Sequence, residues 1–188
     1  MINAEGLGEL LQVGTLSWTG ALRGDALLVR LGAPLLPLNA DRDTLVDLCD
    51  QASINRAYDP AIATWTSREL PPGGLILCQS HERIRLGADL SGWISTLSHL
   101  ARVGLMVHLA SSAIMPGFDG HLTLELYNAA PTRLRLHHGM PAAKVLIDYV
   151  AGPVRSAAQP SPFYGPAGDL ASRYAEEFGY DLGGISGL

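Results

Sequence analysis

An alternating pattern in the middle of the chain constrains the fold more than any other feature of the sequence. Residues 121–127 read His-Leu-Thr-Leu-Glu-Leu-Tyr, so that leucines alternate with more polar side chains. A period of two is typical of a β-strand that buries one of its faces. It places Glu125 on the same face as Thr123 and Tyr127, opposite the leucines. The sequence therefore predicts a half-buried strand that carries one carboxylate on its more polar face.

A second apolar run, residues 104–109, precedes this strand, and a turn signal built from Pro116, Gly117 and Gly120 separates the two runs. The polar residues 95–102 come just before the first run and include a serine, a histidine and an arginine. A carboxylate on a β face can activate water when a hydroxyl and a guanidinium lie within reach. The whole stretch from residue 97 to residue 128 is thus a candidate hydrolytic site.

The rest of the chain consists of short apolar runs separated by glycine and proline, of which the chain has 21 and 12. We expect strands at residues 21–31, 35–38, 65–70, 75–80, 83–86, 92–95, 133–137 and 143–149. Short helices are expected at residues 7–13, ended by Gly14, at residues 43–51 and at residues 171–178. Many short strands with frequent turns indicate an all-β barrel or sandwich.

The chain has 188 residues, 47% of them hydrophobic, which suits one compact domain. We place that domain at residues 1–153, followed by a tail at residues 154–188 that is rich in Pro, Gly, Ser and Ala. For the last ten or so residues of the tail, an ordered segment and a frayed end both stay open. Residues 39–58 are acidic, and we interpret them as a surface insertion anchored by Val46, Leu48 and Ile54.

The net charge of −5 argues against a general affinity for nucleic acid or for anionic membranes. A phosphorylated ligand would need local cations, for which Arg83, Arg85, Lys144 and Arg155 are candidates. The sequence shows neither a signal peptide nor an apolar run long enough to span a membrane, so we expect a cytoplasmic protein. The two cysteines, Cys49 and Cys78, are far apart and are expected to be buried thiols in a reducing compartment.

Zinc-dependent deaminases carry H-x-E and P-C-x-x-C motifs, and neither occurs in this sequence. The six histidines show no recognisable ligand spacing, and no site for a metal is expected.

Three motifs occur in order at fixed spacing. They are S-x-L-A-R-x-G-L-x-V-H from Ser98 to His108, I-x-P-G-x-x-G from Ile114 to Gly120, and L-E-x-Y-N from Leu124 to Asn128. Together they resemble the core signature of the dCTP deaminases, within the dUTPase-like superfamily. The resemblance implies a mainly β fold, a dUTPase-like distorted β-barrel or jelly-roll with a few short helices. It also implies a homotrimer whose subunits share each active site.

The activity implied by the resemblance is hydrolytic deamination of a cytosine (deoxy)nucleotide to the uracil nucleotide plus ammonia. The chemistry would need no metal, and Mg²⁺ would matter only if a nucleoside triphosphate binds. The implied catalytic residues are Glu125, Ser98 and Arg102, with Glu125 moving the protons. The implied substrate-binding positions are Leu97, His99, Met115, Thr123, Leu124 and Tyr164. A helix cap for Ser98, a surface ion pair for Arg102 and a plain surface position for His99 are the alternatives.

Several positions depart from the family pattern. Leu97 stands where an arginine that grips phosphate is usual, Met115 where an aspartate contacts the deoxyribose, and Phe163 where a lysine is expected. Each lost charge-assisted contact costs on the order of 1.5–3 kcal/mol. Two hypotheses follow: an unusual substrate, such as a monophosphate or a modified cytidine nucleotide, or a non-catalytic nucleotide-binding or regulatory homologue. A dUTPase-type pyrophosphatase is a third, weakened because that chemistry relies on an aspartate at the position of Met115.

Overall fold

The computed structural model describes residues 1–39, 45–151 and 170–178 of the chain, and its fold is mainly β. Within these ranges the strands are Leu16–Trp18 (β1), Leu27–Pro37 (β2), Ser67–Leu70 (β3), Leu75–Leu86 (β4), Leu90–Thr96 (β5), Leu105–Met106 (β6), Ala113–Ile114 (β7), Asp119–Asn128 (β8), Leu134–His137 (β9) and Pro141–Tyr149 (β10). The helices are Ala4–Val13 (α1), Gln51–Arg56 (α2), Ser98–Ala101 (α3) and Tyr174–Phe178 (α4).

The strands form one large antiparallel sheet and one small ribbon. The large sheet runs in the order β6-β8-β4-β2-β10-β5-β7, with β1 added to β4, and it curls into a half-barrel. Strands β3 and β9 pair separately. The expectation of a mainly β, distorted barrel with a few short helices is therefore confirmed.

The core lies inside the curled sheet and is built from one face of each long strand. The alternation predicted for residues 121–127 is confirmed in β8, where Leu122, Leu124 and Leu126 are buried. Val145 and Ile147 of β10 contribute to the same cluster. Burying a large aliphatic side chain contributes about 1.5–3 kcal/mol, so this alternation fixes which face of β8 can carry polar groups.

The first helix is confirmed, although it begins earlier than predicted. The side chain of Asn3 accepts a hydrogen bond from the Gly6 N–H and caps the first turn of α1. Gly14 ends the helix with a φ of 78°, a left-handed conformation that glycine adopts without strain.

The helix predicted at residues 43–51 is wrong where the structure describes it, because α2 begins only at Gln51. Asp47 accepts from the Cys49 N–H and Asp50 from the Ala52 N–H. Short acidic side chains that bond to nearby backbone groups favour turns and helix caps over helix interiors. Ile54 anchors the segment as predicted, whereas Leu48 is 59% exposed and does not.

Two pairs of predicted strands each form one continuous strand. Residues 21–31 and 35–38 merge into β2, which begins only at Leu27, and residues 75–80 and 83–86 merge into β4. Each merged strand carries a shift in its pairing register, which accommodates the residues that interrupt the apolar pattern. Conversely, only Leu105 and Met106 of the run 104–109 pair as a strand. Strand β1 was not predicted, because three residues are too few to show a period.

The cysteines differ from each other. Cys78 is buried in the sheet, and burial raises the pKa of its thiol to about 12. Cys49 is exposed, which contradicts the expectation that both thiols are buried. No helix in the described ranges combines the length and the apolar character that a membrane span requires.

Candidate active site

The polar face of β8 forms one wall of a cavity of about 500 Å³. The side chains of His121, Thr123 and Glu125 line it in a row, since alternate residues of a strand point to the same side. The structure therefore brings Glu125 and Thr123 together as the alternation predicts. It adds His121, which sequence reasoning missed although the same period places it on this face.

Two backbone hydrogen bonds fix Glu125 against the neighbouring segment. Its N–H donates to the carbonyl of Val107 over 2.9 Å, and its Oε2 accepts from the Leu109 N–H over 2.6 Å. A carboxylate that accepts from a backbone N–H has a defined orientation. Beyond the two paired residues of β6, the backbone at Val107 and Leu109 still contacts β8 through these two bonds to Glu125. One carboxylate oxygen is thus held, and the side chain as a whole is half-buried beside the cavity.

Apolar side chains complete much of the wall. Ile114 ends β7, and Met115 and Phe118 belong to the turn that leads from it into β8. Leu109 also lines the cavity, and its N–H binds the carboxylate. The turn needs Gly117, whose φ is 78°. Met115 lines the cavity but is 56% exposed, so its side chain does not fill the space.

The C-terminal segment covers another side of the cavity, where Leu170 and Ser172 line it next to Tyr58. The Ser172 N–H donates to the Tyr58 hydroxyl over 3.3 Å, and its carbonyl accepts from Gln51 Nε2 over 2.7 Å. Leu170 packs against Leu36 and Leu77. The segment around α2, interpreted from sequence as a surface insertion, therefore holds part of the tail at the cavity.

A second cavity, of about 280 Å³, contains Ser98. It is lined by Arg23, Ser95, Thr96, Leu97, Ser98, His99 and Lys144. Ser98 lies at the start of α3, whose cap position, Leu97, makes no side-chain hydrogen bond. The proposed alternative role of Ser98 as a cap is therefore not seen. Two cations and no carboxylate line this second cavity, so it suits an anion.

Arg102 follows α3 and is exposed. Among the described residues its side chain pairs with no carboxylate, and it lines neither of the two cavities. Just beyond it, Gly104 adopts a φ of 85°, and a side chain there would meet Ala130 at 2.7 Å. The chain must therefore turn sharply after Arg102, and this turn directs residues 105–109 toward Glu125.

The backbone of Val107 connects a residue of each cavity by hydrogen bonds. Its N–H donates to Thr96 Oγ1, a residue of the second cavity, over 3.2 Å. Its carbonyl accepts from the N–H of Glu125, a residue of the first cavity. Within one chain, Glu125 and Ser98 line different cavities.

The remaining predicted positions are placed as follows. The side chain of Leu124 is fully buried in the core, so a contact with substrate there would come from its backbone. Tyr164, Phe163 and Arg155 lie outside the described residues. Arg83 and Arg85 line a separate surface cavity with Asp119, which forms an ion pair with Arg83 over 3.0 Å. The functional roles of all these residues stay predictions.

No cluster of three or more His, Cys, Asp or Glu side chains suited to a metal ion occurs among the residues that the structure describes. His108, which belongs to the first motif, is partly buried, and its Nδ1 has no hydrogen-bond partner there.

A family model described as dCTP deaminase-like matches residues 30–149, which is more than half of the chain. The chain belongs to the dCTP deaminase-like family. It is 33% identical over 141 residues to a dCTP deaminase of Shewanella amazonensis, covering 71% of this chain and 73% of that protein. It is 29% identical over 166 residues to a dCTP deaminase of Alteromonas mediterranea, covering 83% and 84% of the two chains.

The fold comparison agrees with this family. The solved structure of 2′-deoxycytidine 5′-triphosphate deaminase from Agrobacterium tumefaciens matches with a TM-score of 0.57 at 16% identity. The match covers 78% of this chain and 47% of that chain. At this identity the likeness shows the fold alone. The segment matched by the family model contains both Glu125 and Ser98, whereas Leu170 and Ser172 lie beyond it.

Proposed function

We propose that this chain catalyses the hydrolytic deamination of a cytosine nucleotide, with water and the cytosine ring as reactants and the uracil ring and ammonia as products. The observation that carries the proposal is the position of Glu125, held by backbone bonds at the wall of an open cavity. The names of the relatives supply the reaction class. The chemistry that follows needs only a carboxylate.

The Leu109 N–H orients one oxygen of Glu125, so the other oxygen is the one that exchanges protons. It takes a proton from water as the water oxygen bonds to C4 of the ring, and the carboxyl group then protonates N3. The hydroxyl group now on C4 gives its proton through Glu125 to the amino group on C4. The C4–N bond then breaks as the C4–O bond becomes a carbonyl, and ammonia leaves. General acid–base catalysis of this kind contributes about 10²–10⁴-fold to the rate.

We also propose that the complete site forms in a homotrimer, as the family resemblance implies. The separation of Glu125 and Ser98 into different cavities of one chain supports this. A second copy that brings its Ser98 cavity to the Glu125 cavity would put the carboxylate, the hydroxyl and the Arg102 guanidinium on one substrate. Closed symmetric assemblies of identical chains are the usual form of soluble oligomers.

The cations of the second cavity suit the phosphate end of the ligand. Arg23 and Lys144 lie with Ser98 and His99, beside Leu97 where the family pattern has an arginine. They supply positive charge from chain positions other than that of the family's arginine, which supports a substrate other than the usual one, such as a monophosphate or a modified cytidine nucleotide. Mg²⁺ would enter with a nucleoside triphosphate, as part of the substrate.

A non-catalytic nucleotide-binding protein is the alternative. It would be favoured if Leu97 or Met115 filled the space beside Glu125. Met115 leaves the Glu125 cavity open, and the Ser98 cavity that Leu97 lines is also open, with a volume of about 280 Å³. The geometry therefore supports an enzyme better than a binder.

The test is ammonia release from a panel of cytosine nucleosides and nucleotides, from monophosphate to triphosphate. We expect release from at least one member and a loss of about 10²–10⁴-fold in kcat for Glu125→Gln, which keeps an oxygen for the Leu109 N–H but cannot move protons. Glu69→Gln is the matched control, since Glu69 is an exposed carboxylate on β3 that pairs with Arg135 over 2.8 Å. It should leave kcat unchanged.

If no member of the panel released ammonia but adding nucleotide still raised the melting temperature, the deaminase proposal would be overturned and a nucleotide-binding protein would remain. Pyrophosphate release from dUTP, measured in the same experiment, would instead point to the pyrophosphatase.

A further inference from the structure

We propose that His121 is a substrate-binding residue that recognises a hydroxyl group on the sugar of the nucleotide. The proposal rests on the proposed function, because it takes the reacting carbon of the base to lie at Glu125. In the row of side chains on β8, His121 lies four residues from Glu125 along the same cavity wall.

An irregularity in the sheet fixes the His121 ring. Opposite β8, Gln79 pairs with Thr123 but Arg83 pairs with His121, so the register of β4 shifts between these two points. Such bulges redirect side chains next to functional sites. Within the bulge, Ser80 is 1% exposed, and its hydroxyl accepts from the Leu122 N–H over 2.8 Å and donates to the Glu82 carbonyl over 2.7 Å. The carbonyl of this anchored serine lies 3.0 Å from His121 Nδ1.

That contact determines which nitrogen of the ring can meet a ligand. A carbonyl oxygen only accepts hydrogen bonds, so Nδ1 must carry the proton in this bond. In the neutral imidazole Nε2 is then an acceptor. Nε2 has no hydrogen-bond partner among the described residues, and the ring lines the cavity. His121 therefore offers an oriented acceptor that the protein itself does not use.

The geometry of the substrate connects this acceptor to the sugar. In a cytosine nucleotide the sugar is attached to N1, which lies directly across the ring from C4. When C4 is at Glu125, the sugar must extend away from that residue. The Cα atoms of residues 121 and 125 are roughly 13 Å apart along an extended strand. Met115 and Phe118, which line the cavity near the start of β8, have no side-chain oxygen or nitrogen to offer, so His121 Nε2 is suited to accept from a sugar hydroxyl.

The experiment compares two ligands that differ by one hydroxyl. Binding of dCTP and of 2′,3′-dideoxy-CTP, each with Mg²⁺, is measured by calorimetry on full-length Glu125→Gln protein, so that turnover does not interfere. The corresponding monophosphate pair is measured in the same way. We expect the hydroxylated ligand to bind about three- to tenfold more tightly, which is the usual worth of one neutral hydrogen bond. Adding His121→Phe should remove this preference and leave the dideoxy ligand unaffected.

Two variants separate recognition from structure. His121→Gln, whose amide oxygen can take the place of Nε2, should restore part of the preference. His137→Phe removes an exposed histidine of β9 and should change nothing. Equal affinity for the two ligands in protein that still has His121 would overturn the proposal, and this result does not depend on whether a His121 variant folds. An equal fall in affinity for both ligands in His121→Phe would also overturn it. If no nucleotide released ammonia but the hydroxylated ligand still bound more tightly than the dideoxy ligand, the deaminase proposal would be overturned and the role of His121 would stand. If neither the triphosphate pair nor the monophosphate pair bound, both proposals would be overturned.

Discussion

The cavity at Glu125 and the cavity at Ser98 differ in how completely one chain builds them. Glu125 lies in the middle of a long strand, with its N–H and its Oε2 both engaged by residues 107–109. Ser98 is exposed on a four-residue helix whose first turn has no side-chain cap. The proton-transfer group is thus pre-organised within the subunit, while Ser98, which is also predicted to be catalytic, is presented at its surface.

This difference suggests a division of labour. Catalysis depends on an orientation accurate to a fraction of an ångström, which a sheet with its two backbone bonds can supply. Binding of a charged group tolerates an open site lined by cations such as Arg23 and Lys144. The orientation of Glu125 is set within a single chain, whereas in the proposed trimer a second subunit completes the site around the ligand.

The difference between the two cavities is tested most directly in mixed assemblies, in which some subunits carry Glu125→Gln and the others carry Ser98→Ala. Glu125→Gln and Ser98→Ala should each lose nearly all activity as pure assemblies. When equal amounts are unfolded and refolded together, sites that take Glu125 from one chain and Ser98 from its neighbour recover both groups. Random assembly should restore about a quarter of the wild-type activity, because each of the two chains at a site must be of the right kind. The measurement is ammonia release before and after mixing.

The control for this experiment is a mixture of Glu125→Gln with itself, refolded in the same way, which should stay inactive. Activity that does not rise on mixing, in assemblies shown by mass to contain both chains, would place Glu125 and Ser98 of the same subunit in each site. The two cavities would then have to join within one chain.

A smaller effect is expected at Val107, whose backbone bonds connect a residue of each cavity. Thr96→Val has nearly the same shape but cannot accept from the Val107 N–H, which then loses its partner. An unsatisfied donor in a partly buried position costs about 1–3 kcal/mol. Because the same peptide segment orients Glu125, we expect kcat/KM to fall about tenfold together with a lower Tm, and Thr96→Ser to restore both.

Thr19→Val is the matched control, since Thr19 accepts from the Arg83 N–H over 3.1 Å at a site away from both cavities. It should lower Tm with kcat/KM unchanged. If Thr96→Val lost stability alone, as Thr19→Val should, the backbone bonds of Val107 would not couple the two cavities.

The same contrast explains what could be predicted from the sequence. The period of two in β8 was sufficient to place Glu125 and Thr123 on the polar face, because burial of the leucines leaves no other register. The turn at Gly117 was predicted from the proline–glycine signal, and its φ of 78° shows why glycine is needed there. Local pattern therefore predicted the strand that carries the carboxylate and the turn that leads to it.

Long-range placement could not be predicted in this way. Nothing local to Arg23 indicates that its loop reaches the cavity of Ser98, 75 positions later in the chain. The bulge that turns His121 depends on the pairing of β8 with β4, and pairing is not visible in either strand alone. Helix α2 was misplaced because the acidic residues Asp47 and Asp50, just before it, form a turn and a helix cap. Nothing local to Tyr58 indicates that its hydroxyl accepts from the Ser172 N–H of the tail.

The smallest effect that we predict concerns that contact with the tail. Tyr58→Phe keeps the ring beside Leu36, Leu77 and Leu170 but removes the hydroxyl that accepts from the Ser172 N–H. The bond is long, at 3.3 Å, so its loss should cost no more than about 0.5 kcal/mol. We expect KM to rise about twofold with kcat unchanged, because the segment covers the Glu125 cavity without touching the carboxylate. Steady-state kinetics on the active nucleotide measures this.

Combining Tyr58→Phe with Gln51→Ala removes both hydrogen bonds to Ser172 and should raise KM further. Tyr149→Phe, at an exposed tyrosine that ends β10, is the control and should have no effect. Proteolysis near residue 172 should be faster in the double variant and slower when nucleotide is present. A double variant with faster proteolysis and an unchanged KM would show that the tail docks on α2 without contributing to the site. The Glu125 cavity would then be complete, on its own side, without any residue beyond β10.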